Sequence, residues 1–323
     1  MAIGSGIDTQ LGMVAGGATY GTPETVTRFL EFLNESMADG HVGKVYQRGL
    51  GRSRFQRQDR VRTYQRGVSG SVDFEVLDTG FGLLLKNLLG AVSTAAGPPV
   101  VHTITPDAAA LYGLWFDLQI GKPAPGGTVH PFTYAGCKVT SWAMKCAVGE
   151  ALMLTTNLHA RSLSTGVALA SKSYATDARP FIFVDGAITV GGSAIPVKSV
   201  MINGNNGLDV ERIFLGSGLT SEPIAAAIAD ITGELEAEFT ALTELTAWAA
   251  GTQAALVLTF NSARTLGAST YQLTVTIPLI EYTGEVPVIG GPQIVPQKLP
   301  FKALYDGSNA MITMAYRTSD ASP

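Results

Sequence analysis

Residues able to do chemistry are few in this chain, and their spacing argues against most of the chemistry they could do. His41, His102, His130 and His159 stand singly, none with a second His or Cys at ligand spacing, which is the pattern of structural or surface histidines. Gly49-Leu50-Gly51-Arg52 begins like a dinucleotide loop, but Arg54 stands where the third glycine belongs and no buried parallel strand precedes it. Gly121-Lys122 lacks the upstream glycine of a phosphate loop, because Phe116 occupies that place. Gly67-Val68-Ser69-Gly70 is one residue short of a nucleophile elbow, and no helix follows directly. Glu236 and Glu238 could serve as the acid and base of a glycosidase, but regular spacing on one strand gives them like environments where such a pair needs unlike ones. The sequence therefore predicts no catalytic, cofactor-binding or metal-binding residues and no enzymatic activity.

What remains is the chemistry of charge. Between Lys44 and Arg66 lie Lys44, Arg48, Arg52, Arg54, Arg57, Arg60, Arg62 and Arg66 against the single anion Asp59. The Arg-rich, Lys-poor make-up favours paired contacts with carboxylates over a diffuse cationic cloud, so the seven arginines are candidates for an inter-subunit interface. A solvated basic loop and a phosphate-binding arm are the alternatives. Between Asp209 and Glu244 the balance reverses, with eight acids against Arg212 alone. Opposite blocks of this kind suit an alternating ring of unlike domains, each meeting a neighbour of the other sign.

The elements that carry these charges read as alternating strands. In Val68 to Leu77, residues Ser71, Asp73 and Glu75 share one face while Val72, Phe74 and Val76 share the other. In Ile231 to Phe239, Glu234, Glu236 and Glu238 oppose Leu235, Ala237 and Phe239. Further strands are expected over Val26 to Leu33, Leu114 to Ile120, Lys138 to Ala147, Ala151 to His159, Ile195 to Asn203, Ala254 to Phe260, Tyr271 to Ile280 and Ala310 to Arg317. Short helices are expected over Thr79 to Leu89 and Ala241 to Ala250, with Gly90 and Gly251 where a left-handed cap belongs. Each alternating acidic strand thus leads into one helix, with Gly70 aligned to Gly233, Asp73 to Glu236 and Glu75 to Glu238. Val148 to Thr155 also reads like Asp306 to Thr313. The fold class expected is mostly β: two tandem copies of a β-sandwich or barrel, residues 1–176 and 177–323, each with one short helix against its outside.

Composition bounds the rest. With 323 residues, 46% hydrophobic and only 15% charged, the chain can bury two ordinary cores, and its formal charge of -4 argues against a protein that coats nucleic acid. Cys137 and Cys146 are expected as buried free thiols rather than a disulfide. The first residues have no cationic start before an apolar core, and no stretch reaches the roughly 20 apolar residues of a membrane span. A chain made in the cytoplasm, without a membrane partner, is the expectation. Gly284 to Pro300 reads either as an arm reaching a neighbour or as an extended linker.

A set of motifs carries a family resemblance. Tyr64-Gln65-Arg66-Gly67-Val68-Ser69-Gly70-Ser71-Val72-Asp73-Phe74-Glu75, then Gly82-Leu83-Leu84-Leu85 ending at Leu88-Leu89-Gly90, then Tyr134-Ala135-Gly136-Cys137-Lys138-Val139-Thr140-Ser141-Trp142 and Gly149-Glu150-Ala151-Leu152, together resemble the tail tube proteins of long-tailed bacteriophages. The likeness is best over residues 20–165 and reaches the second half through the internal repeat. It implies a structural subunit of the virion tail, assembled in the host cytoplasm into stacked rings through which DNA is ejected. A chain with two tube domains would complete a six-domain ring with three copies. The implied partners are the chain itself, a tape-measure protein, tail-tip and terminator proteins, and genomic DNA passing without specific binding. Asp73, Glu75, Glu234, Glu236 and Glu238 are then candidates to face the lumen, with an ordinary exposed strand face as the plainer reading. A β-sandwich binding or adhesion module is the alternative function.

Overall fold

The computed structural model describes residues 4–38, 40–46, 49, 54–107, 111–284, 286–292 and 294–323. It is mostly β, with 49% strand against 8% helix, as the alternation predicts. In chain order the elements are β1 (Gln10–Ala15), β2 (Arg28–Leu30), β3 (Asn34–Glu35), β4 (Val42–Tyr46), β5 (Val61–Gln65), β6 (Val68–Glu75), α1 (Gly82–Leu89), β7 (Gly90–Ala95), β8 (Val100–Pro106), β9 (Phe116–Pro123), β10 (Val129–Ala147), β11 (Met153–Ala160) and β12 (Ser162–Ser164). The second half contributes β13 (Gly186–Val190), β14 (Ser193–Ala194), β15 (Val197–Asn205), β16 (Asp230–Glu238), α2 (Thr243–Ala250), β17 (Ala254–Leu266), β18 (Ser269–Tyr282), β19 (Pro296–Ala303) and β20 (Thr313–Thr318).

All pairings are antiparallel. A smaller sheet runs β2·β1·β9·β10·β12, and a larger one runs β3·β6·β11·β10·β15·β16·β19·β18. β10 belongs to both because it shifts register between Tyr134 and Cys137. Gly136 sits in that shift at φ 67°, where a Cβ would strike the Tyr20 ring, so only glycine takes the bend without strain. Beyond β18 the sheet divides, with β17 on one side, β20 on the other, and β8 and β7 outside β20.

One pairing order occurs twice. The order β2·β1·β9·β10·β11·β6·β3 has a counterpart in β14·β13·β17·β18·β19·β16·β15. A 3-10 turn precedes the first strand of each series, Gly6–Asp8 and Phe183–Asp185, each closed by an aspartate that accepts a backbone N–H three residues earlier. The likeness of Val148 to Thr155 with Asp306 to Thr313 does not follow this order. The first leads into β11, between β6 and β10, whereas the second leads into β20, between β18 and β8. β19 holds β11's place instead, in a segment whose prolines make it read as coil.

The core is continuous across both halves. Contrary to the expectation of a helix on the outside, α1 is buried along almost its whole length. Thr94, His102 and β20 fold over that region from the insertion β7–β8 and the C-terminus, and Pro323 abuts Gly82. α2 has no fully buried residue and packs only Ala247 and Trp248 on the core. Gly251 caps α2 in the left-handed region, as expected, while Gly90 has φ 124° and ψ -57° and turns the chain directly into β7. Cys137 and Cys146 are buried free thiols on β10; burial raises both, Cys146 to about 11.

Candidate functional site

The larger sheet has one face on the core and one open. Along β16, Ile231, Gly233, Leu235 and Ala237 are buried while Asp230, Thr232, Glu234, Glu236 and Glu238 are half-exposed, and β6 behaves likewise with Val72 and Phe74 against Asp73 and Glu75. Cross-strand register joins these positions into rows. One row runs Glu75, Met153, Lys145, Met201, Glu234 and Pro300; the next runs Asp73, Thr155, Ala143, Asn203, Thr232 and Lys302. The five candidate carboxylates therefore share one open surface, although β6 and β16 are separated by β11, β10 and β15.

That surface is not uniformly acidic. Lys198 pairs with Glu238 at 3.0 Å, Lys302 with Asp230 at 2.9 Å and Lys298 with Glu234 at 3.8 Å. Thr155 donates to Asp73 at 2.6 Å and Ser199 to Glu236 at 3.2 Å. The acidic block read between Asp209 and Glu244 is thus countered by lysines from β15, β19 and their flanks, and Glu222 is withdrawn into a buried pair with Lys138 at 2.6 Å. The Lys138 ammonium also donates to the carbonyls of Leu111 and Pro223, which satisfies it despite burial that lowers its pKa. The signal for Lys298 and Lys302 was their period-two spacing, masked by Pro296 and Pro300.

The basic block forms a two-stranded arm, β4·β5, outside both large sheets. Arg54, Arg57, Arg62 and Arg66 are exposed and Arg60 is half-exposed; Arg48 and Arg52 lie outside the described residues. Arg57 makes a fork onto Asp59, at 2.8 and 2.7 Å, which lowers the aspartate's pKa, and Arg60 stands 3.7 Å from the same carboxylate. Arg54 lies over Phe55. Val42, Val45, Tyr46, Phe55 and Tyr64 are also exposed, so this hairpin has both charge and apolar surface. β5 lies against the connection between β15 and β16, where a Cβ on Gly218 would strike the Tyr64 ring and the Gln65 carbonyl.

No catalytic constellation emerges from the described residues. Ser69 shares a hydrogen bond with His159 Nδ1 at 2.9 Å, but Thr220, not a carboxylate, holds Nε2 at 3.1 Å. Without an acid to orient and charge the ring, the contact is a clasp between β6, β11 and the connection between β15 and β16. Gly49-Leu50-Gly51-Arg52 falls mostly outside the described residues, and Ser69 lies within β6 rather than at a strand-to-helix turn. Among the described residues, no group of three or more His, Cys, Asp or Glu could hold a metal ion, and no helix is long and apolar enough to cross a membrane.

The described residues thus present two β-sheets that share β10, one open sheet face and a separate two-stranded arm. No curated protein matches the chain. The family model described as phage tail tube protein matches residues 6–303, and so nearly the whole length. The chain belongs to the phage tail tube protein family and is a structural subunit of the tail tube.

Proposed function

We propose that the chain is a double subunit, two tandem tube units with the boundary near Thr176, and that three copies close a ring with pseudo-sixfold symmetry. The observation that carries this reading is the recurring order of elements, matched by the recurring pairing order: a 3-10 turn, two short strands, an edge strand, an acidic-faced strand, a helix, and a long hairpin with its returning strand. Thr176 falls after β12, the short strand that follows the first series, and before the turn Phe183–Asp185 that opens the second. Repeats of one unit meet through like surfaces around an axis.

Stacked rings then form the conduit for DNA, with the open face of the larger sheet lining the lumen. Asp73, Glu75, Glu234, Glu236 and Glu238 stand on that face. Their carboxylates, interspersed with Lys145, Lys198, Lys298 and Lys302, keep the wall from offering the continuous cationic track whose counterion release would hold phosphate. The arm, with Arg54, Arg57, Arg60, Arg62 and Arg66, contacts the next subunit, and Arg48 and Arg52 are proposed as part of the same interface. The role is structural and not enzymatic. Tape-measure, tail-tip and terminator proteins are the remaining partners, and assembly in the host cytoplasm precedes incorporation into the virion tail.

The mass of a released ring tests the proposal. Native mass spectrometry should give three times the 33.8 kDa chain, and a tube reconstruction should show threefold rings. Six whole chains per ring would refute the double-subunit reading.

A further inference from the structure

Within the chain, the two series are joined by one strand pair. Ser141 to Ala147 of β10 runs antiparallel to Ser199 to Asn205 of β15, so the last part of one hairpin's long strand meets the edge strand of the next series. The same two edges recur at β3 and past the end of β18, where neither has a further ladder partner among the described residues. β3 has only β6 as a ladder partner among the described residues. After Tyr282, β18 runs into residues 286–292, which belong to no strand.

The correspondence is exact enough to set a register. Asn34 pairs with Asp73 as Ser199 pairs with Glu236, and Glu35 with Val72 as Val200 with Leu235. A Cβ on Gly70 would strike the Ser36 carbonyl, and one on Gly233 the Met201 carbonyl. Val76 donates to Leu152 as Phe239 donates to Val295, which places Val288 opposite Cys146 in the comparison and Val286 opposite Met144. Met144 and Cys146 are 1% and 6% exposed, beside the elements that bring in β15, whereas Val286 and Val288 are 60% and 72% exposed. Two apolar side chains thus stand in the open where the other series buries its equivalents.

Backbone parity points the same way. Thr283 donates to the Pro300 carbonyl, so along a continued strand the odd-numbered N–H groups face β19 and the even-numbered ones face outward. Pro287, which has no N–H, falls on the β19 side, and Val286 and Val288 keep their donors for an incoming strand.

We propose that the run from Val286 to Ile289 of one copy pairs with β3 of a second copy, reproducing between chains the β10·β15 junction found within one. The proposal rests on the tube reading and adds its seam: Ile289 faces Asn34 and Val288 faces Glu35 of the neighbouring copy. Three internal and three external junctions of one kind would close the ring, and the unpaired edges that otherwise invite open-ended aggregation would be consumed.

The test is a cysteine pair in the full chain. N34C/I289C, oxidised after assembly, should give covalent dimers and trimers on a non-reducing gel, because facing antiparallel residues lie within disulfide reach; each single variant should stay monomeric on the gel. A second variant, V288D, should keep the wild-type circular dichroism and melting curve yet lose ring and tube formation, while V148D, at an exposed turn residue, should assemble normally. Wild-type tubes together with an uncrosslinked N34C/I289C pair, or normal tubes from V288D, would overturn this seam. Wild-type protein that never yields rings or tubes would instead contradict the tube reading itself.

Discussion

At the scale of single residues, the buried charges are the ones whose removal should be felt. Asp78 is fully buried and accepts from Arg264 at 2.8 Å, from Thr79, from Ser262 and from the Arg179 backbone, tying the end of β6 to β17 of the other half. D78A leaves Arg264 facing a site without its counter-charge, so a denaturant melt should show a loss of about 3–5 kcal/mol. His159 gives a pH signature. Burial holds its pKa below the ordinary 6.5, with Glu211 opposing the shift. The unfolded chain therefore takes up a proton near pH 6.5 that the folded chain still refuses, and stability present above that pH is lost as pH falls toward the lower folded value. H159Q should flatten the wild-type fall in melting temperature between pH 7 and pH 5; an unchanged slope would place the loss on other groups, His102 first among them, since burial lowers it too.

At the scale of elements, the arm and the two helices show how one sequence pattern yields different roles. β4·β5 contributes almost nothing to the core, so R54E/R57E/R60E should leave folding stability nearly unchanged, as exposed substitutions do. Its cost should fall on assembly, where like charges would meet at a desolvated contact. Circular dichroism reads the first effect and light scattering the second; normal polymerisation would leave the arm without an interface role. The outcome also bears on Asp59, whose fork from Arg57 already occupies one arginine within the arm. The helices differ in the opposite sense. α1 and α2 are both eight residues long, but Leu83, Leu84, Leu85, Leu88 and Leu89 leave α1 only Lys86 to show toward solvent, whereas Thr243, Glu244 and Thr246 give α2 a polar side.

At the scale of the whole molecule, one open sheet face is assembled from distant strands. If that face lines the channel, E236K/E238K should leave tails intact in micrographs and slow DNA ejection, because two new cations beside Lys198 and Lys298 would build a local phosphate-binding patch. The slowing should be greater at low salt than at high salt, since ions screen contacts at an exposed wall. Wild-type ejection rates at every salt concentration would remove these residues from the lumen.

The sequence alone determined the local elements of this protein: both acidic-faced strands, both short helices, most of the long hairpin strands, and the internal alignment of Gly70 with Gly233. Period-two alternation and terminal glycines are local signals, and a strand needs nothing more to declare which of its faces is buried. Tertiary structure alone decided which strands are neighbours. It joined β10 to β15 and β8 to β20, buried α1, and set Lys298 and Lys302 against Glu234 and Asp230. A strand's alternation is satisfied by any apolar surface, so it carries no address for its partner. Ion pairs across more than sixty residues of chain arise only when register brings their rows together. The five candidate carboxylates were legible as one face of two strands, but the lysines that temper them were hidden in a proline-rich segment, because proline signals coil locally while the ladder from β16 holds β19 extended from the other side.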